Sequence, residues 1–249
     1  MSDIIERRVT RRRRQPSTDQ VVTHVRNLIT SGSLRPGDRL PAERDLAVQI
    51  GVSRPTVRAG LRALAAMGVV QSRHGSGTFI PAGPPMLGSE PLSFLAALHG
   101  FTREEMYEAR RILEVGAAGL AATRATPEQL ATMAEEVANL FSAMDDPQRF
   151  LVHDIDFHRT VAAASGNPII ATIVEMVSAL YYERRRETAL LATERNLRDS
   201  SEMHRRIYQA IRARDVEGAE YAMNEHLLQS SAHQAEEPAL AAVRSEPAH

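Results

Sequence analysis

Three histidines and one aspartate in the C-terminal half are the residues whose types suit metal binding. Asp154 and His158 are four residues apart, so on a helix both side chains project from one face. His204 and His226 lie on the last two predicted helices. Three imidazoles and one carboxylate suit Zn²⁺, Ni²⁺, Mn²⁺ or Fe²⁺, whereas Ca²⁺ and Mg²⁺ favour shells of oxygen alone. Spacing leaves a second interpretation open, because histidines on apolar helices are more often core residues than ligands.

A second set of residues has the types and positions for binding DNA. Arg44 lies at the start of one predicted helix, Arg54 and Arg58 lie on the outward face of the next, and His74 lies at the tip of a predicted hairpin. A recognition helix and a wing meet a duplex at these places. The N-terminal part is therefore predicted to contact nucleic acid.

The distribution of charge supports this assignment. Residues 1–80 contain 14 Arg and 6 acidic residues, a net charge of +8, whereas residues 81–249 contain 16 Arg and 25 acidic residues, a net charge of −9. The run Arg11-Arg12-Arg13-Arg14, with Arg7 and Arg8 before it, has two interpretations. It either lies along phosphates or in a minor groove, or it is a solvated tail without specific contacts.

The elements that carry the basic residues form a recognisable order. Helical spacing of apolar residues predicts a helix over 18–30, a short helix that ends at Gly51 and a third that Ser53 caps. Two helices joined by a tight turn that contains Gly are a helix-turn-helix. Two short β-type runs, 69–73 and 77–80, follow and predict a hairpin wing.

The segment Leu40-Pro41-Ala42-Glu43-Arg44-Asp45-Leu46-Ala47, continued by Thr56-Val57-Arg58, resembles the N-terminal signature of the GntR family of bacterial transcription regulators. The resemblance covers about residues 16–80 and implies a homodimer that binds a short palindromic operator in double-stranded DNA. It also implies DNA contacts at seven positions of this chain: Arg44, Ser53, Arg54, Thr56, Arg58, His74 and Gly75. Pro55 stands where some relatives have a polar contact.

The remainder of the chain is predicted to be an all-α bundle, so the fold class is mainly α: a winged helix-turn-helix followed by about seven helices with short loops. The predicted helices are 91–99, 102–123, one opened by Thr126-Pro127, 147–164, 168–190, 200–213 and one from Asp215 to about 233.

Three segments of this bundle resemble the FCD effector-binding domain of the FadR subfamily of GntR regulators. They are Phe150 to His158, Ala164 to Pro168, and Met203 to Ile211 with Asp215, and the resemblance covers about residues 90–233. In metal-binding members of that domain, an Asp, the His four residues later and two further His are the ligands. The resemblance therefore assigns a divalent metal, Zn²⁺ in the first place, to Asp154, His158, His204 and His226.

A metal with four protein ligands can still accept oxygen atoms from a small carboxylate, and an organic acid is the expected effector. Arg110 matches a family arginine on the first long helix and would hold the ligand's carboxylate by two hydrogen bonds, with Glu114 orienting it. The alternative is an ion pair on the helix surface. Asn167 either reaches the pocket or only caps the helix opened by Pro168.

Three classes of function fit these residues. The first is a ligand-responsive repressor, in which an organic acid on the metal shifts the spacing of two helix-turn-helix units. The second is a metal-dependent hydrolase or oxygenase fused to a DNA-binding domain, but catalytic zinc usually keeps three protein ligands and an open position. The third gives the metal a purely structural or metal-sensing role.

Composition and boundaries complete the expectations. The chain contains no Cys and no apolar run of 18 residues, and its Arg-rich start has no following apolar core, which favours a soluble cytoplasmic protein without a membrane span. The predicted segments are a basic arm (1–15), a DNA-binding domain (16–80), a Pro/Gly linker (81–89), an effector-binding and dimerisation domain (90–233) and a disordered tail (234–249).

Overall fold

The computed structural model describes residues 18–82 and 90–245, which form two compact units that divide between residues 87 and 88. Several expectations from the sequence fall outside these residues. They concern the basic arm over 1–15, the linker from 83 to 89 and the end of the tail beyond 245.

Three helices and a hairpin make up the described part of the N-terminal unit. They are α1 (Thr18–Thr30), α2 (Glu43–Ile50), α3 (Arg54–Ala66), β1 (Gln71–Arg73) and β2 (Gly77–Phe79). The two strands pair antiparallel, with Ser72 opposite Thr78. The order of these elements confirms the predicted winged helix-turn-helix.

The turn between α2 and α3 sets the geometry of this unit. Gly51 ends α2 with a φ of 74°, a left-handed conformation that a residue without a Cβ adopts freely. Ser53 then caps α3 by accepting a hydrogen bond from the Thr56 amide. Gly60 permits a close approach of α3 to α1, because a Cβ there would lie 2.5 Å from the Cβ of Val21. Buried aliphatic residues from all three helices form the core: Val25, Leu46, Val57, Leu61 and Leu64.

Seven α-helices and one 3-10 turn make up the described part of the C-terminal unit. They are α4 (Glu90–His99), α5 (Arg103–Arg124), α6 (Pro127–Ser142), α7 (Pro147–Ala164), α8 (Pro168–Arg185), the 3-10 turn Ala189–Leu191, α9 (Glu194–Arg212) and α10 (Val216–Ser245). α10 packs on α5 and α9, and α7 packs on α5, α6 and α8. The predicted all-helical bundle is confirmed. No described helix has the length and apolar character that spanning a bilayer requires.

Side-chain caps fix where the helices of the bundle begin. Thr102 and Thr126 form capping boxes with Glu105 and Gln129, and Asp146 accepts hydrogen bonds from the first amides of α7. These signals are local in sequence. The predicted starts of α5, α6 and α7 therefore agree with the structure to within one residue.

The loop between α8 and α9 differs from the prediction. α8 ends at Arg185 and not at about 190, because the chain turns there through a hydrogen bond from the Thr188 amide to the Arg185 carbonyl. α9 begins at Glu194 and not at about 200, since Thr193 caps it by accepting a hydrogen bond from the Asn196 amide.

The last helix is longer than predicted. α10 continues to Ser245, whereas the sequence analysis ends it at about 233 and expects a disordered tail. The added residues are rich in Ala and Glu, which have high helix propensity, and extending an existing helix avoids the unfavourable nucleation step. In the structure α10 thus includes Pro238 and ends at residue 245.

Candidate metal centre and nucleic-acid interface

Four buried side chains from three helices meet inside the C-terminal unit. Asp154 and His158 lie one turn apart on α7, His204 lies on α9 and His226 lies on α10. Asp154 is 7 % exposed, and the three histidines are at most 1 % exposed. The structure thus brings together all four residues that the sequence analysis selects as metal ligands. They are named the Asp/His cluster below.

The nitrogen and oxygen atoms of the Asp/His cluster converge. One candidate ligand atom from each residue lies within 4.8 Å of the others. The Nε2 atoms of His158 and His226 are 3.1 Å apart, and Nε2 of His204 is 3.2 Å from Oδ1 of Asp154. Ligands of a tetrahedral zinc ion, each at about 2.0–2.1 Å from the metal, are themselves about 3.3 Å apart. Two of the separations in the cluster are therefore close to those of a tetrahedral metal site, and all of them lie within 4.8 Å.

Contacts on the far side of two imidazoles fix which nitrogen carries the proton. Nδ1 of His204 lies 2.8 Å from the carbonyl oxygen of Ser200, which can only accept, so Nδ1 is the donor. Nδ1 of His158 lies 2.5 Å from Oε2 of Glu114. In the neutral rings, both Nε2 atoms then carry lone pairs that face the interior of the cluster. Buried lone pairs and a carboxylate that face one another repel, and a cation bound between them would remove that repulsion.

Burial and neighbouring charges set the protonation of the other two residues. Burial lowers the pKa of His226 well below its usual range, and the rings of His204 and His158 lower it further when they are protonated. Burial by itself raises the pKa of Asp154, but His204 and His158 outweigh it when their rings are protonated, and they hold that pKa far below its usual range. A neutral imidazole and an ionised carboxylate are the forms that bind metals.

An ion pair on α5 supports the Asp/His cluster from one side. Nε of Arg110 donates to Oε1 of Glu114 at 2.6 Å, and both residues are 2 % exposed. The surface ion pair that the sequence left as an alternative is therefore wrong. Burial by itself raises the pKa of Glu114, but Arg110 and then His158 outweigh it and hold the pKa at about 2. The guanidinium lies 4.4 Å from the ring centre of Tyr181.

A small cavity of about 50 Å³ opens beside Asp154, and it is called the metal-side cavity below. This volume holds a few water-sized atoms. Tyr181 and Ser200 are among the other lining residues. Arg110 is not among the described residues that line it, so the expected two-point hydrogen bond from Arg110 to a ligand finds no support in this geometry.

Asn167 has a capping role in the structure. Its Oδ1 accepts hydrogen bonds from the amides of Ile169 at 3.0 Å and Ile170 at 3.4 Å, at the start of α8. Asn167 is not among the described residues that line the metal-side cavity. Of the two roles that the sequence allowed, the geometry therefore supports the cap.

Two supporting contacts were missed in the sequence analysis. The sequence predicts Glu114 only as a partner of Arg110, whereas in the structure its second oxygen faces His158 on a different helix. The carbonyl of Ser200 that orients His204 belongs to the backbone, so the type of residue at this position does not predict the contact. The i, i+4 spacing of Ser200 and His204 is a weak signal for such a contact.

In the N-terminal unit, the basic residues assigned to DNA lie on exposed parts of α2 and α3. The Arg44 side chain is 82 % exposed at the start of α2, and Arg54 and Arg58 are exposed on α3. Nε of Arg58 donates to both carboxylate oxygens of Glu43, at 2.9 and 3.1 Å. This pair joins α3 to the first residue of α2 and orients the Arg58 guanidinium.

The remaining assigned residues lie at the start of α3 and at the hairpin tip. The hydroxyl oxygens of Ser53 and Thr56 are 2.8 Å apart, within the cap of α3. His74 and Gly75 are exposed in the turn between β1 and β2, where Gly75 has a φ of 71°. The Arg73 guanidinium lies 4.9 Å from the centre of the Phe79 ring and braces the two strands.

Comparison with known families finds two matches along the chain. Residues 17–80 match the bacterial regulatory proteins of the gntR family, and residues 105–229 match the FCD domain. The first range covers the helix-turn-helix and the hairpin. The second contains every residue of the Asp/His cluster.

Known relatives match over most of their length. LutR, an HTH-type transcriptional regulator of Bacillus subtilis (strain 168), is 34% identical over 203 residues, which are 80% of this chain and 93% of LutR. NanR, an HTH-type transcriptional repressor of Klebsiella aerogenes, is 32% identical over 225 residues, which are 88% of this chain and 85% of NanR. The solved structure of Streptococcus agalactiae GntR superposes with a TM-score of 0.64 at 27% identity and covers 86% of this chain and 99% of that one.

Proposed function

Since the chain belongs to the GntR family of bacterial regulatory proteins and carries an FCD domain, we propose that it is a repressor whose operator affinity is controlled by a small organic acid bound at a divalent metal. Like the members of its families and its relatives, it is a DNA-binding transcription regulator and not an enzyme. The fused hydrolase or oxygenase is therefore set aside. The name of NanR, a transcriptional repressor, supports repression as the sign of regulation.

The geometry of the Asp/His cluster carries the metal part of the proposal. Its four residues would hold the ion, with Zn²⁺ favoured and Ni²⁺, Mn²⁺ and Fe²⁺ as alternatives for the same donors. Glu114 and the Ser200 carbonyl hold two of the imidazoles in the tautomer that binds metals. When bound, the metal supplies a Lewis acid that accepts a carboxylate oxygen.

A small carboxylate is the class of effector that suits this site. The metal-side cavity gives a ligand access to the Asp154 side of the cluster. The charge of Arg110 also acts on Asp154 and lowers its pKa, so we assign Arg110 an electrostatic role in anion binding and Asn167 a structural one. Sugar acids, hydroxy acids, amino acids and dicarboxylates all carry the required group.

For the N-terminal unit, we propose that a homodimer places two helix-turn-helix units on a palindromic operator. An acid that binds one arrangement of the dimer more tightly than the other shifts operator affinity. This function requires a cytoplasmic location, where bacterial DNA lies. The proposed DNA contacts are Arg44, Ser53, Arg54, Thr56, Arg58, His74 and Gly75.

Metal content of the full-length protein tests the site. We expect elemental analysis after gel filtration to find about one divalent ion per chain in the wild type and a strong loss in His204→Ala. His153→Ala is the matched control, because His153 also lies on a helix of the bundle but faces Glu136 at 2.7 Å, outside the cluster. Equal metal content in the wild type and His204→Ala would remove His204 from the site.

The effector part of the proposal needs a separate measurement. A thermal-shift screen of organic acids is expected to find at least one acid that stabilises the metal-loaded protein, and a chelator is expected to abolish that stabilisation. Stabilisation by no acid, with the metal still bound, would instead support a purely structural or metal-sensing role.

A further inference from the structure

A basic cleft lies next to the metal-side cavity. Its volume is about 230 Å³, and three arginines line it: Arg103 from α5 and Arg184 and Arg185 from the end of α8. No acidic residue is among the described residues that line it. A cleft with this lining attracts anions.

The basic cleft and the metal-side cavity share a wall. Tyr181, Arg185 and Gln234 line both spaces. Nε2 of Gln234 donates to the Tyr181 hydroxyl oxygen at 2.8 Å, and this neutral hydrogen bond links α8 to α10 at the wall. A molecule bound beside Asp154 therefore has the basic cleft as an adjoining space.

Two of these arginines, Arg103 and Arg184, have acidic neighbours among the described residues that are engaged outside the lining. Arg103 pairs with the adjacent Glu104, while its Nε is buried and has no hydrogen-bond acceptor among the residues that the structure describes. The Glu105 carboxylate, which faces Arg184, accepts the amide of Thr102 in the capping box of α5. An anionic oxygen in the cleft is the kind of group that compensates the charge of the lining arginines.

We propose that the effector is a small acid with two anionic groups, called the dianion below: one carboxylate at the metal and a second anionic group, carboxylate or phosphate, in the basic cleft. The inference rests on the proposed function, because the first anchor is the metal-bound carboxylate. Arginine holds either oxyanion through charge-assisted hydrogen bonds. Two anchors on one molecule make the second contact intramolecular, which raises affinity over that of a monocarboxylate.

Titration calorimetry of the zinc-loaded full-length protein with L-lactate, L-malate and 3-phosphoglycerate tests this inference. We expect L-malate or 3-phosphoglycerate to bind at least about tenfold more tightly than L-lactate, the factor that one hydrogen bond to a charged group provides. Tighter binding of L-malate identifies a second carboxylate, and tighter binding of 3-phosphoglycerate identifies a phosphate.

Two variants locate the second anchor. Arg103→Gln and Arg184→Gln are expected to reduce the advantage of the dianion by about tenfold while L-lactate affinity and zinc content stay unchanged. Arg186→Gln is the matched control, because Arg186 follows α8, pairs with Glu183 and is not among the residues that line either space.

The outcomes separate the two proposals. If L-lactate binds and neither dianion binds more tightly, or if the advantage survives in both cleft variants, the dianion inference is wrong and the carboxylate effector stands. If none of the three acids binds the zinc-loaded protein, both the dianion inference and the carboxylate effector fall.

Discussion

Glu114 lies between two groups that depend on its charge. Its carboxylate accepts a hydrogen bond from Arg110 and faces the Nδ1 atom of His158, in a place where all three side chains are nearly inaccessible to solvent. A carboxylate behind a histidine fixes the tautomer and raises the basicity of the opposite nitrogen. One side chain thus neutralises a buried arginine and holds the imidazole of His158 in the tautomer that binds metals.

Glu114→Gln tests this double role. We expect zinc affinity to fall by about 10–100-fold, as for other carboxylates behind ligating histidines. We also expect the metal-free protein to lose stability, because removing one partner of a buried ion pair costs about 3–5 kcal/mol. Chelator competition and thermal unfolding measure the two effects. Glu108→Gln, an exposed change on the same helix, controls for the loss of charge, and identical behaviour of the two variants would contradict the assignment.

Arg58 is the DNA-facing residue whose orientation is best defined. Its Nε is held by Glu43, which leaves the outer guanidinium nitrogens for base edges. We expect Arg58→Ala to lose about 1–3 kcal/mol of operator binding relative to a scrambled fragment, measured by fluorescence anisotropy. Arg35→Ala, an exposed change in the loop before α2, is expected to weaken both fragments alike. Equal effects of the two variants would show that Arg58 does not read bases.

At the scale of elements, the bundle works by presenting side chains from helices that are far apart in sequence. α7 contributes two residues of the Asp/His cluster because a spacing of four residues places them on one face. α9 and α10 contribute one each, and α5 supplies the ion pair behind them. The helix caps matter for this reason, since they fix the start of each helix and thus its rotation relative to the core.

Substitutions at Asn167 distinguish a capping role of this residue from a ligand-binding role. We expect Asn167→Ala to destabilise the protein by about 0.5–2 kcal/mol in denaturant unfolding, because it removes the acceptor for the first amides of α8. Asn167→Asp keeps an acceptor at this position and is expected to remain close to the wild type. Effector affinity is expected to be the same in all three proteins, and a selective loss of affinity in both variants would restore Asn167 to the pocket.

At the scale of the whole molecule, the near-zero net charge hides two halves of opposite charge. Residues 1–80 carry +8 and residues 81–249 carry −9. The described residues form two compact units, each with its own buried core. DNA binding and metal binding are thus assigned to separate cores, so each can be measured in the full-length chain by a local probe.

Hydrogen exchange provides such a probe for metal removal. We expect zinc at 100 times its Kd to slow the exchange of the most protected amides in α7, α9 and α10 by about 100-fold, since a ligand that binds only the native state stabilises by mass action. Amides of α1 to α3 serve as the internal control and are expected to change far less. Equal slowing in both units, or none in α7, would argue against a metal held by the Asp/His cluster.

The local elements of this protein could be predicted from its sequence because their signals are local. Thr102, Thr126 and Asp146 mark the starts of three helices, and Gly51 with Ser53 marks the turn of the helix-turn-helix. The predicted start of α9 and the predicted end of α10 were wrong, because the sequence signals for these two boundaries are weaker. The Thr193 cap starts α9 earlier than the sequence predicts, and α10 extends beyond its predicted end at about residue 233.

Residue type and spacing predicted the order of the elements and the helix-turn-helix with its wing. They also selected four candidate ligands, which only the resemblance to the FCD domain assigned to a metal. Only the tertiary structure decided that the Arg110–Glu114 pair is buried, that Glu114 turns to His158, and that a basic cleft adjoins the metal-side cavity. The physical reason is that burial and the direction of a carboxylate depend on helices that pack from distant parts of the chain. No local sequence pattern determines which helix packs against a given side chain.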